Sequence, residues 1–167
     1  MEKRLVKDHV IKVNPVHIFI TPLGFHTYAT DFLTAARDLK PSDHFSPVPY
    51  YLYCRSIELS LKSFLLGKGV TKKILKKKLG HDLVKTLKLA RKSGISDLLL
   101  LSPDQENCLR KANEYYASKG FEYFELANAI RGYSDRPALE ELDGLAAELV
   151  SKLKKYCLDV ADHPPQN

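Results

Sequence analysis

Three charged residues on an otherwise apolar stretch are the first place where chemistry could reside. Arg55, Glu58 and Lys62 fall at i, i+3 and i+7, so a helix would carry all three on one stripe. Glu58 precedes Lys62 by four residues, the favourable order for a helical ion pair. The surrounding segment is greasy, and leaving such charges buried and unpaired would cost several kcal/mol. They must pair with each other, with another polar group, or with a ligand. Two readings stand: a structural ion-pair network, or an anion-facing site in which Glu58 positions the two cations.

Gly80-His81-Asp82-Leu83 is the second constellation. The glycine supplies a turn, Asp82 suits the N-cap of the next helix, and His81 sits just before that positive helix end. From there His81 can donate to Glu58 or to a phosphate, or titrate near neutrality. Capping geometry alone would equally account for a structural histidine. Ser56, Ser60 and Ser63 accompany the charged stripe; with no base at local spacing, they read as small residues that let a neighbouring helix approach. Arg131 and Arg136 bracket a Gly-Tyr-Ser-Asp loop and are further candidate phosphate contacts.

No metal site is indicated. The six histidines include no pair at i, i+3 or i+4 and no H-E-x-x-H. Cys54, Cys108 and Cys157 are odd in number and far apart, which argues against a disulfide framework and for reduced, packed thiols. No cofactor is called for.

Charge is unevenly spread. Lys68 to Lys92 holds ten Lys/Arg against the single Asp82, whereas Ser93 to Val150 holds five Lys/Arg against eleven acids. One face should attract polyanions and another repel them. Lys72, Lys73, Lys76, Lys77 and Lys78 read either as a solvated lysine-rich loop or as a salt-dependent, sequence-independent contact for nucleic acid.

The elements that must position these groups are helical. β-Branched residues around Asn14-Pro15 predict an extended arm or hairpin over residues 1–20. From Thr21 the period changes: Phe25, Tyr28, Phe32, Ala35/Ala36 and Leu39 predict one buried stripe on a helix ending near Lys40. Pro41 to Pro49 is a connector. Tyr50 to Leu66 is apolar on more than one side, with Tyr50, Cys54, Ile57, Leu61 and Phe64 as one seam, and should be the central helix. Gly67-Lys68-Gly69 stops it. A helix capped by Asp82 follows, up to Ser93-Gly94. Ser102-Pro103-Asp104-Gln105 is a capping box that opens another, closed by Lys119-Gly120. Phe121 to Ile130 reads as helix and residues 131–137 as loop. The last helix carries Leu142, Leu145, Leu149, Leu153, Tyr156 and Val160 at heptad-like spacing. Residues 161–167 form a tail expected to be disordered.

These elements predict an all-α fold, an up-and-down bundle of four to five helices over residues 21–160. A chain of 167 residues has the length of one domain, and 44% hydrophobic residues suffice for a core. The longest aliphatic run, Leu98 to Leu101, is far short of the ~20 apolar residues that cross a bilayer, so no membrane is expected. The charged N-terminus lacks an apolar signal region, which predicts a cytoplasmic protein.

The helix bearing Arg55, Glu58 and Lys62, followed by Gly67-Lys-Gly69, the Gly80-His81-Asp82-Leu83 turn, an aromatic segment, the Arg131-Gly-Tyr loop and the heptad-patterned last helix, together resemble the HEPN family (higher eukaryote and prokaryote nucleotide-binding). The resemblance covers about Phe45 to Leu158. It implies a helical bundle, often a homodimer, with roles in RNA cleavage, toxin–antitoxin or antiphage systems, or nucleotide binding beside a nucleotidyltransferase partner. Nuclease members carry Arg-x(4–6)-His near the start of a late helix. Here Arg131 is in the corresponding region, but Gly132 to Leu139 contains no histidine. Arg4…His9 and Arg37…His44 fit the spacing but precede the central helix, and about one such match arises by chance. The reading is therefore a protein that binds RNA or a nucleotide phosphate through Arg55, Lys62, Arg131 and Arg136, with Glu58 and His81 organising them. The alternatives are a metal-independent endoribonuclease toxin using His81 and Arg131, and a dimerisation or interaction module without a ligand.

Overall fold

The computed structural model describes residues 21–40, 43–123 and 135–162. The expected N-terminal arm, most of the tail, and Arg131 lie outside them. Among the described residues there is no strand, and the helices pack as a bundle around one core.

Helix α1, Pro22–Asp38, begins where Thr21 Oγ1 accepts from the Gly24 amide at 3.0 Å with proline in the first turn. Its buried residues are His26, Ala29, Leu33 and Ala36. The predicted stripe is thus displaced by one position, about 100° of rotation, and only Ala36 belongs to both. Small residues decide this. Ala29 and Ala36 let α1 come close enough for Ser56 Oγ to donate to the Ala29 carbonyl at 2.7 Å, an approach that a phenylalanine in their place would block. The aromatic residues are left on the shoulder of the helix.

Helix α2, Val48–Gly67, is the central one: Tyr53, Cys54 and the unbroken run Ser56 to Leu65 are buried, and α1, the last helix, and both intervening long helices pack against it. Ser63 meets Cys157 at 3.5 Å, as Ser56 meets α1, so two of the three serines serve close packing. Gly67 serves it too. A Cβ there would stand 2.6 Å from the Tyr156 hydroxyl.

The lysine-rich segment is not a loop. Thr71 caps a helical turn, α3 (Lys72–Ile74), which runs into a π-helical stretch over Leu75–Leu79. Leu75 and Leu79 are buried in the core while Lys76, Lys77 and Lys78 face solvent between them. Two leucine anchors outweigh the repulsion among exposed lysines, which water and salt screen.

Helix α4, Leu83–Lys92, starts at Asp82, whose Oδ1 accepts from the Lys85 amide at 2.9 Å. Helix α5, Pro103–Tyr116, has the full capping box: Gln105 N donates to Ser102 Oγ at 3.2 Å and Ser102 N to Gln105 Oε1 at 2.8 Å. The chain closes it at Lys119, in the left-handed region, and Gly120. Phe121 to Tyr123 form turns instead of the expected helix; the rest of that prediction, 124–130, lies outside the described residues.

Helix α6, Leu139–Asp162, buries Leu142, Leu145, Ala146, Leu149, Leu153 and Cys157 against α1, α2 and α5. The predicted seam drifts at its end, where Cys157 replaces Tyr156, because a straight helix turns more slowly per residue than a strict heptad and lags about 20° per repeat. A bidentate pair, Arg37 to Asp143 at 2.6 and 2.9 Å, ties α1 to α6. Cys54, Cys108 and Cys157 are free and buried; burial pushes the Cys108 thiol up to about 12. No helix among the described residues is long and apolar enough to cross a membrane.

Candidate functional site: a cationic cleft with an aromatic wall

Arg55, Glu58, Lys62 and His81 meet on one side of α2. Glu58 is 1% exposed and is the hub. Its Oε1 accepts from Lys62 Nζ at 2.5 Å. Its Oε2 accepts from Arg55 Nη1 at 3.1 Å, from His81 Nδ1 at 3.0 Å, and from the Tyr116 hydroxyl. A carboxylate offers about four lone-pair positions, and four donors from this chain already converge on Glu58, three of them on Oε2. Glu58 is an organiser of the cluster.

The electrostatics agree. Burial pushes the Glu58 carboxyl up, but Lys62, Arg55 and the hydrogen bonds from Lys62 and Tyr116 outweigh it and hold the group below its ordinary value. Glu58 is therefore an anion at neutral pH. An anion can only accept, which assigns the proton on His81 to Nδ1 and turns Nε2 outward as the second functional atom of the ring. Burial and Glu58 together push the Tyr116 hydroxyl up, keeping it a donor. For Arg55 desolvation works downward, yet Glu58 and Tyr116 raise it overall.

Local backbone geometry places the partners. Gly80 has φ 55 and ψ −126, a region that side-chain-bearing residues avoid. That conformation turns its carbonyl onto Lys62 Nζ at 2.6 Å and delivers His81 to Glu58. Asn113 on α5 braces the turn from below, with Oδ1 accepting from the Leu83 amide at 2.7 Å and Nδ2 donating to Asp82 Oδ1 at 3.3 Å. The His81 ring also meets the Tyr116 ring edge-on at 5.7 Å.

The cluster forms the floor of a cleft of about 950 Å³. One wall is α1, contributing Phe25, Tyr28 and Phe32. The other is the lysine segment, contributing Lys72, Leu75 and Lys76. The cleft is open to solvent, since Tyr28 is 62% exposed and the Arg55 and His81 side chains are 27% and 34% exposed. Lys62 has two of its three protons committed and lies deep, so it positions more than it presents. Among the described residues Lys72 and Lys76 enter no ion pair.

The remaining candidates stand apart. Arg136 donates to the Tyr50 hydroxyl at 3.0 Å, lies over the Phe45 ring at 5.0 Å, and does not line the cleft. Tyr50 and Arg55 are five positions apart on α2, about 140° around it. Lys73, Lys77 and Lys78 are exposed outside the cleft. Arg131 lies outside the described residues. Two contributors escaped the sequence reading. Tyr116 was not singled out, although a buried tyrosine needs a partner for its hydroxyl. The aromatic row of α1 was assigned to the core. Among the described residues no group of three or more His, Cys, Asp or Glu is arranged to hold a metal.

Fold and cleft together define an all-α bundle with a cationic, aromatic-walled opening beside its central helix. Comparisons of the chain with protein-family models, curated proteins and solved structures return no match.

Proposed function

We propose that this protein is a HEPN-like helical bundle that binds RNA or a nucleotide through its phosphate in the cleft between α1, α2 and the lysine segment. One observation carries the reading: among the described residues Arg55, Lys62, Lys72 and Lys76 line the opening against one carboxylate, Glu58, an excess of three positive charges before His81 is counted. Glu58 keeps its charge, but Arg55 and Lys62 bonded to it outweigh that charge, so the floor stays net positive towards an anion. Arg55 is the floor group that donates to a phosphate, while a His81 ring whose proton is on Nδ1 presents the Nε2 lone pair, which suits a hydroxyl donor of the same ligand. Lys72 and Lys76 supply attraction from the rim.

The test is a titration of the full chain with a fluorescently labelled single-stranded RNA at 50 and 200 mM salt. Binding that weakens steeply with salt, and more shallowly in the Lys72→Gln/Lys76→Gln variant, is the expected result. No binding at low salt, or binding indifferent to salt, rejects the proposal. Homodimerisation and an antitoxin or nucleotidyltransferase partner belong to the same reading, and sedimentation of the purified chain tests the first.

A second reading, a metal-independent ribonuclease, is favoured by the His81–Glu58 hydrogen bond. A histidine held at Nδ1 by a carboxylate offers Nε2 for proton exchange with a 2′-hydroxyl. Cleavage of total RNA without metal, lost in His81→Ala, is its expected signature; an uncut substrate across salt conditions eliminates it.

A further inference from the structure

The three aromatic residues of α1 are the feature that phosphate binding leaves unused. Phe25, Tyr28 and Phe32 follow one another at i, i+3 and i+7, so their rings share one face of the helix. That face is not the one packed on α2 and α6, which is made by His26, Ala29, Leu33 and Ala36. The rings instead form a wall of the cleft, and Tyr28 stands largely in water. A row of aromatic side chains held on a preformed concave surface, outside the core, marks a binding surface more often than a scattered exposed ring does.

What it would bind follows from what faces it. Lys72, Lys76 and Arg55 line the same cleft, the Arg55 guanidinium 5.9 Å from the Phe32 ring centroid. The site therefore pairs a flat π surface with several cations inside one opening of about 950 Å³. A bare phosphate uses only the cations. An aliphatic anion would use the apolar area but gain nothing from ring geometry. A nucleotide uses both, because a base has a π face for stacking and a phosphate for the cations, the combination found in single-strand nucleic-acid grooves. The volume suits one or two nucleotides and not a duplex.

We infer that α1 carries a base-stacking subsite, with Phe25 and Tyr28 as the platform and Phe32 at its inner edge beside Arg55, so that the cleft selects a nucleobase as well as a phosphate. This rests on the phosphate-binding reading above. Tyr28 and Phe25 are thereby specificity-determining residues, while Lys72, Lys76 and Arg55 supply affinity common to any phosphate.

Calorimetric titration of the full chain with AMP, ribose 5-phosphate and laurate tests the inference. AMP should bind about 5- to 150-fold more tightly than ribose 5-phosphate, the range expected for one stacked base. Tyr28→Ala should erase most of that margin without changing the affinity for ribose 5-phosphate, and Tyr28→Phe should retain it. Tyr28 projects into solvent, so its truncation leaves the core intact; thermal unfolding of the variant checks this. Equal affinities for AMP and ribose 5-phosphate overturn the stacking subsite and leave phosphate binding standing. Failure of both ligands to bind at low salt overturns the two readings together. Laurate binding more tightly than AMP, with that binding lost in Tyr28→Ala, assigns the wall to an aliphatic anion and also overturns the inference.

Discussion

Glu58 determines how the other side chains of the cleft behave. Four donors converge on two carboxylate oxygens that are almost fully buried, so removing the charge strands Lys62 in the interior. Breaking one partner out of a buried ion pair costs about 3–5 kcal/mol, and Glu58→Gln should lose stability of that order in urea denaturation. A loss below about 1 kcal/mol would mean that Lys62 finds water instead. The same carboxylate sets an acid limit. Its value in the fold lies below the ordinary 4.5, with Lys62 and Arg55 outweighing the opposing effect of burial. The unfolded chain therefore takes up the proton first. The contribution of Glu58 is complete above pH 4.5 and is lost as pH falls through that value towards the folded one. Urea midpoints measured from pH 7 to pH 3 should decline more steeply in the wild type than in Glu58→Gln. Parallel curves would show that other carboxylates dominate the acid limb.

Turns and helix registers hold that carboxylate and its partners together. Gly80 is the turn on which the cluster depends. A Cβ there meets nothing within 4 Å, so the cost of Gly80→Ala is backbone strain alone, about 1–3 kcal/mol. Because the Gly80 carbonyl accepts from Lys62 and His81 follows it directly, the substitution should weaken the phosphate binding proposed above as well as stability. Denaturation and RNA titration of the one variant measure both. An unchanged protein would mean that the turn relaxes freely. Packing of α6 is separately testable. Leu149 is fully buried at the middle of its seam, and Leu149→Ala should cost about 2–5 kcal/mol as a core truncation does; a much smaller loss would show that the bundle collapses around the gap.

Taken across the molecule, the uneven charge acquires a direction. Lys72 and Lys76 put part of the lysine excess on the rim of the opening, while Lys73, Lys77 and Lys78 extend it over the adjacent surface. On the RNA-binding proposal, neutralising Lys73, Lys77 and Lys78 together should slow association with RNA and flatten its salt dependence while leaving the bound geometry unaltered. Stopped-flow mixing at two salt concentrations reads this out; an effect confined to the dissociation rate would place those lysines in direct contact instead.

Much of this was legible in local patterns. Apolar periodicity marked α2 as central and predicted the α6 seam; Asp82, Ser102 and Gln105 announced two helix starts; and the spacing of Arg55, Glu58 and Lys62 put them on one stripe. These depend on neighbours within about four residues, where helical geometry fixes who meets whom. Three features were not legible. The rotation of α1 was decided by whether a small or a large residue could sit against Ser56 and α6, a question about the neighbour's surface and not about α1. The lysine segment folded as helix because Leu75 and Leu79 found room in a core assembled by other elements. The link from Glu58 to Tyr116 spans 58 positions of chain, beyond the reach of any periodicity, whereas the link to His81 was one of the two partners its turn offered. Sequence alone thus determined where the long helices lie and which charges travel together. Only the tertiary packing decided that those charges share a cleft with a row of aromatic rings, because long-range contact depends on shape complementarity between segments that carry no local record of each other.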